Sequence, residues 1–163
     1  MRSSFSVVVI MACAGCVAQP VTPSIEELEA FDAWIYSAFS MADLRTAASI
    51  RSIGTLIEES AVPYEAAHAE GRWNVTSYRF DGLKIVAIVQ EAPPKKALVG
   101  TIEISSPVWP LKNGIAVGSP VSNIKMPVPP SKSPLKFCGI HDCIEFSEYA
   151  GSISRITLSL YAE

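Results

Sequence analysis

Trp73-Asn74-Val75-Thr76-Ser77-Tyr78-Arg79-Phe80-Asp81-Gly82-Leu83-Lys84-Ile85-Val86-Ala87-Ile88-Val89 is the stretch that decides the fold. Trp73 to Phe80 is rich in aromatic and β-branched residues, and so is the run that starts at Leu83. Asp-Gly between two such runs is the strongest short-range hairpin signal, because the tight turn needs positive φ. Ile85 and Val86 point to opposite faces, so the second strand is expected to be central. Asn74-Val75-Thr76 spells a glycosylation sequon, but its position is that of a strand.

Working toward the C-terminus, Pro93-Pro94 makes the next turn. Leu98, Gly100, Ile102 and Ile104 alternate with Val99, Thr101 and Glu103, the pattern of a half-buried third strand. Pro107-Val108-Trp109-Pro110 breaks the sheet, and a helical turn is expected at residues 119–125. Residues 126–134 hold Pro127, Pro129, Pro130 and Pro134, which excludes regular helix or central strand. A last hairpin begins near Leu135. Ile144 and Phe146 share a face, Ala150-Gly151 turns, and Ile156, Leu158 and Leu160 line one face of the final strand.

Toward the N-terminus the period becomes helical. Ser24-Ile25-Glu26-Glu27 is a capping box, and Ile25, Leu28, Phe31, Ile35 and Phe39 follow at helical spacing, which predicts a helix near 25–38. Glu26, Glu29 and Asp32 fall on other faces. Ser40 with Asp43 repeats the cap signature, and Met41, Leu44, Ala47, Ala48 and Ile50 predict a second helix ending near Gly54. Residues 55–71 are ambiguous: Leu56-Ile57-Glu58-Glu59 extends the helix and Pro63 interrupts it. The fold class is therefore α+β, with two N-terminal helices followed by antiparallel sheet. An internal echo, Phe80-Asp81-Gly82 before Ile85 and Ile88 against Tyr149-Ala150-Gly151 before Ile153 and Ile156, suggests two weakly repeated helix-hairpin units.

The first residues read as an address. Met1-Arg2 gives a positive start, and Phe5 to Ala14 is mostly apolar. This run is too short to cross a bilayer as a helix, which needs about 20 residues, and fits a secretory signal. Ala12-Cys13-Ala14-Gly15-Cys16 resembles the lipobox of bacterial lipoproteins, with Ala14 and Gly15 as the small residues before a lipidated Cys16. Cys13 stands where that family usually has Leu. The alternative register, Ile10-Met11-Ala12-Cys13, puts the lipid on Cys13. An ordinary cleaved signal and an uncleaved anchor are the other readings. The lipobox resemblance implies a signal peptide over 1–15, a tether over 16–23 and an α+β periplasmic domain over 24–163. No Asp follows Cys16, which by the same resemblance implies the outer membrane, facing the periplasm.

The remaining composition agrees with a globular envelope protein. The chain has 163 residues, 49% of them hydrophobic, and a net charge of −3. Removing residues 1–15 takes away only Arg2, leaving −4. No dense basic patch is present, so nucleic acid is not an expected partner. In order of elements, and in Gly114-Ile115-Ala116-Val117-Gly118-Ser119-Pro120, the mature chain resembles the BamE-type outer-membrane assembly lipoproteins and the β-lactamase inhibitor proteins. Lys125-Met126-Pro127 replaces their usual Leu-Gly-x-Pro. The resemblance implies a fold unit and no function.

Cys138 and Cys143 bracket Gly139-Ile140-His141-Asp142. In an oxidising compartment, thiols placed opposite one another across a tight turn form a disulfide. Metal binding through Cys138, His141 and Cys143 is the sharper alternative, but a fourth ligand and the usual short Cys-Cys spacing are missing. Redox catalysis would want Cys-x-x-Cys at a helix N-terminus. His68 and His141 are the only histidines, and no Gly-x-Ser-x-Gly, His-Glu-x-x-His or phosphate loop occurs. Paired-carboxylate chemistry leaves no local signature; Glu26, Glu27 and Glu29 suit the solvated first turn of a helix. Trp109, fixed between prolines, is a candidate interface anchor, or else a cap on the core. The expected function is a membrane-tethered, non-enzymatic lipoprotein without cofactor or metal that binds another envelope protein, as assembly factor or immunity-type inhibitor. The alternative is a cell-wall- or lipid-acting enzyme or small-ligand binder.

Overall fold

A computed structural model describes residues 22–40, 43–65, 71–130 and 135–161. The signal segment, Cys13, Cys16 and the tether as far as Val21 lie outside the described residues, as do Met41, His68 and Pro134. Two helices, α1 (Ile25–Ala38) and α2 (Ala47–Arg51), precede seven strands: β1 (Glu58–Tyr64), β2 (Trp73–Phe80), β3 (Leu83–Gln90), β4 (Ala97–Ile104), β5 (Lys136–Cys138), β6 (Cys143–Tyr149) and β7 (Ser152–Ser159). All seven form one antiparallel sheet in the order β1-β2-β3-β4-β7-β6-β5. The protein is thus largely sheet.

The Asp81-Gly82 hairpin forms as its sequence predicts, with Phe80 opposite Leu83 and Gly82 at φ 68°. Leu83, Ile85, Ala87 and Val89 of β3 are buried, and the residues between them are half-buried. Thr76 of the sequon is a buried strand residue. The core is one cluster on one face of the sheet. Phe31 and Ile35 from α1, Ile50 from α2, and Tyr78, Ile85, Ile102, Ile144, Ile156 and Leu158 from the strands are each 0% exposed. Truncating one such aliphatic side chain to Ala typically destabilises by about 2–5 kcal/mol, because a cavity is left behind.

The helical expectation holds for α1, and the second helix forms only as a short one. Ser24 and Glu27 make the capping box, the Glu27 amide donating to Ser24 Oγ at 3.2 Å and the Ser24 amide donating to Glu27 Oε2 at 2.7 Å. That contact draws the Glu27 carboxyl below its ordinary value, through the backbone hydrogen bond first and the Ser24 hydroxyl second. Ser40 does not cap a second helix. Its φ is 54°, whereas a helix N-cap needs an extended backbone. Thr46 has that backbone (φ −138°, ψ 155°) and boxes with Ser49 instead, so α2 has only five residues. The ambiguous stretch 55–71 contains no helix extension among its described residues. It supplies β1, exposed along its whole length, whose Pro63 is tolerated because the strand lies at the sheet edge. The second half of the echo likewise lacks its helix: the 119–125 region forms only a short 3-10 turn, Val121–Asn123. One full helix, one short one and a continuous sheet therefore replace two helices with repeated helix-hairpin units.

β4 carries a phase change that its sequence hides. Val86 pairs with Thr101 and Ala87 with Val99, leaving Gly100 as an extra residue. This bulge reverses which side chains face the core. Ile102 and Ile104 point inward as expected, but before Gly100 the inward pair is Ala97 and Val99, and Leu98 turns out to the other face, 37% exposed.

That other face is ordered in rows. Glu58, Arg79, Lys84, Glu103, Thr157, Glu145 and Lys136 lie side by side across all seven strands. Three ion pairs bridge neighbours: Arg79–Glu58 at 2.6 Å, Lys84–Glu103 at 3.7 Å and Lys136–Glu145 at 3.6 Å. Each exposed pair adds at most ~1 kcal/mol, but slipping a strand by one residue would separate them. Toward the other end of β1 to β4, the apolar row Val62, Val75, Ile88 and Leu98 crosses the same face.

Candidate functional site

Two places bring together residues that are far apart in sequence: the Cys138–Cys143 loop and a cleft beside it. The loop is short. Cys138 and Cys143 pair across β5 and β6 with Cα atoms 4.1 Å apart and sulfurs at bonding distance, 2.06 Å. Three consecutive loop amides converge on one carboxylate. Ile140 N–H and His141 N–H donate to Asp32 Oδ2, and Asp142 N–H donates to Asp32 Oδ1, each at 3.0 Å. Gly139 is required here because a Cβ would run into the Asp32 carboxylate and come within 2.6 Å of the Leu28 carbonyl oxygen. Asp142 extends the connection by accepting the Tyr161 amide at 2.9 Å. One loop thus ties α1 to the chain's C-terminal stretch.

The sequence places Asp32 merely off the apolar face of α1, and nothing in its spacing reveals the loop that it would receive. His141 is exposed and lies 6.1 Å, ring to ring, from Tyr161. Among the described residues, no three His, Cys, Asp or Glu side chains are grouped to hold a metal ion. The two sulfurs of the sharper alternative are joined to one another.

Trp109 is partly buried and engaged inside the molecule. Its indole N–H donates to the Asp81 carbonyl at 2.8 Å, its ring leans on Phe80 at 6.4 Å, and Gly54 lies against the ring so closely that a Cβ would approach it to 3.0 Å. This geometry is that of a cap on the end of the core. Trp34 stacks on Phe31 at 5.5 Å and is likewise partly buried.

The cleft has a volume of about 510 Å³ and opens between α1, the 44–46 segment, the start of β4 and the C-terminal residues. Its origin lies in the sheet. The β4–β7 ladder covers only Thr101 to Ile104. Beyond it, the Leu160 amide reaches the Gly100 carbonyl at 2.8 Å, and the 97–99 half of β4 has no β7 partner. Leu44, Ala97, Val99 and Leu160 line the resulting slot, with Tyr36 and Tyr161 beside them. Arg45 and Lys96 reach the same slot because Thr46 bridges Lys96 and the Ala97 amide donates to the Arg45 carbonyl at 2.8 Å. Among the described residues neither cation has an ion-pair partner; Arg72, Lys95, Lys112, Lys125 and Arg155 have none either, but of these unpaired cations only Arg45 and Lys96 line the slot.

A second polar cluster lies at α2. Arg51 makes two short hydrogen bonds to Glu59, at 2.8 and 2.7 Å, and lies over the Tyr78 ring at 5.9 Å. The hydrogen bonds push the Arg51 guanidinium above its usual value and pull the Glu59 carboxyl below it. Burial, and then the Glu59 charge, raise the Tyr78 phenol. Among the described residues its hydroxyl is buried and makes no full hydrogen bond, the Thr76 side chain being the polar group that acts on it.

No helix among the described residues is long and apolar enough to cross a membrane. The chain matches no protein-family profile, no curated protein and no solved structure.

Proposed function

We propose that this chain is an envelope lipoprotein, held by acyl chains on Cys16 (or Cys13) at the outer membrane facing the periplasm, that acts by binding a small ligand in the cleft between α1 and β4. The observation that carries the ligand-binding reading is the cleft itself. Its volume of about 510 Å³ falls in the range of roughly 300–1,000 Å³ usual for ligand sites, and it combines apolar walls with a few converging polar groups. The lining offers contact and charge. Its one hydroxyl outside the tyrosines, Thr46, is already committed to the α2 cap. Such a lining supports capture rather than turnover.

The test is to isolate the protein from membranes, extract it with organic solvent, and compare it with an Ala97→Trp variant whose indole fills the cleft. The wild type is expected to release a small molecule in near-stoichiometric amount and the variant to release none. Equal release from both would defeat the reading.

The second reading is an envelope-protein partner, in an assembly or immunity-type role. It is favoured by the apolar row Val62, Val75, Ile88 and Leu98 on the uncovered sheet face, of which Val62 is 59% exposed. Val62→Lys would abolish co-purification of such a partner and leave the extracted small molecule unchanged. For the anchor, metabolic labelling with a radioactive fatty acid should mark the wild type and not Cys16→Ser. Label retained in that variant would move the site to Cys13, and no label in either protein would remove the lipoprotein assignment.

A further inference from the structure

We infer that the cleft takes an amphipathic anion: one acyl chain headed by a carboxylate or a phosphate. This deepens the ligand-binding reading and rests on it. The chemistry follows from how the slot is made. Where β7 stops, half of β4 is left beside a gap whose walls are side chains of Leu44, Ala97, Val99 and Leu160. The Ala97 amide is taken by the Arg45 carbonyl and the Leu160 amide by Gly100. An incoming peptide would bring its own amides into this lining, where groups left unpaired are strongly disfavoured. An alkyl chain brings none.

The head group follows from charge. The cross-strand pairs on the uncovered face neutralise their own cations, and Arg51 is held by Glu59. Arg45 and Lys96 both line the slot, and no carboxylate lies within salt-bridge distance of either among the described residues. The acidic member of the lining, Asp142, is 9% exposed and accepts the Tyr161 amide at 2.9 Å. It faces the slot as part of the loop structure. Two unpaired cations in the lining of an apolar slot complement a chain with one anionic end. Arg favours the planar, two-oxygen head of a carboxylate or phosphate, and Lys adds a point charge.

The experiment uses the full chain in its native membranes, with a diazirine-bearing dodecanoate as photoprobe and peptide mapping of the crosslinks. Labelling is expected on peptides that carry residues 97–99 or Leu160. Dodecanoate and dodecyl phosphate should displace the probe, and the stronger competitor of the two identifies the head group; dodecanol should not. Competition by shorter alkanoates should weaken about fourfold per methylene removed, the equivalent of ~0.8 kcal/mol per buried CH₂. The double variant Arg45→Gln/Lys96→Gln should lower labelling about tenfold or more, as loss of charge-assisted contacts implies. Lys96→Arg should preserve labelling, and an unchanged melting temperature in each variant controls for folding. Dodecanol competing as well as dodecanoate, or full labelling of a folded double variant, would overturn the anionic head while leaving the cleft a ligand site. Crosslinks that avoid the cleft altogether would overturn both.

Discussion

Replacing Asp32 by alanine tests how the helical layer is fastened to the sheet. The carboxylate receives three amides, each at 3.0 Å. The Ile140 and His141 bonds are exposed, so water replaces the lost acceptor and each is worth about 0.5 kcal/mol. The Asp142 bond is part-buried, and removing a charged acceptor there costs ~1.5–3 kcal/mol. The sum is about 3 kcal/mol, a large share of a typical stability of roughly 5–15 kcal/mol. For a chain of this size that corresponds to a melting temperature about 10 °C lower. Asp32→Asn keeps one carbonyl acceptor and should fall between the two. Denaturant unfolding measures the energy, and hydrogen exchange at Ile140, His141 and Asp142 locates it. If Asp32→Ala melted within ~2 °C of the wild type and those amides kept their protection, the carboxylate would not be what fastens α1 to the loop.

Further outcomes follow from the same contacts. Tyr78→Phe removes a buried hydroxyl that makes no full hydrogen bond among the described residues while keeping the ring under Arg51, so thermal unfolding should show a stabilisation of about 1 kcal/mol. The Tyr78 phenol is raised in the folded state, so its contribution is intact below the ordinary value of 10.0 and is lost as pH climbs above it. Tyr78→Phe should therefore flatten the alkaline loss of stability. The Glu59 carboxyl is lowered, so its contribution is present above the ordinary 4.5 and fades as pH falls from there through the folded value. Glu59→Gln should remove part of the acid slope, and an unaltered slope would show that the Arg51 pair contributes nothing. Thiol titration of the denatured, unreduced protein should find Cys138 and Cys143 unreactive; two reactive thiols there would mean the loop is closed by hydrogen bonds alone. Gly139→Ala should destabilise more than a surface substitution, since both the Asp32 side chain and the Leu28 backbone oppose the added methyl group.

What could be read from the sequence was local. Asp81-Gly82 set the central hairpin because a two-residue turn fixes its own register, and Ser24 with Glu27 set the start of α1 because both cap partners lie within one turn. What could not be read depends on partners distant along the chain. The strand Glu58–Tyr64 buries neither face, so its sequence lacks the alternation that marks a strand, and it exists because β2 offers an edge. Gly100 gives no sign of whether it continues a strand or interrupts its phase, and the difference reassigns Leu98. The second helix starts at Thr46 rather than Ser40, a difference that turns on one backbone angle. Of the site residues, the Cys138–Cys143 pairing followed from turn geometry. Asp32 and the Arg45 and Lys96 lining of the cleft did not, because what makes them a site is where a loop and a strand end in space.

The strand order has a consequence for how the molecule is made. β7 is the last of these seven strands in chain order, yet it sits between β4 and β6 and completes the row from Ile102 through Leu158 to Ile144. Until those residues have emerged, the β4 edge is unsatisfied and no strand joins the two halves of the sheet, which are linked through α1 and the core. Termination a few residues into β7 should therefore leave the β4 and β6 edges unpaired and yield an unstable product rather than a slightly shorter protein.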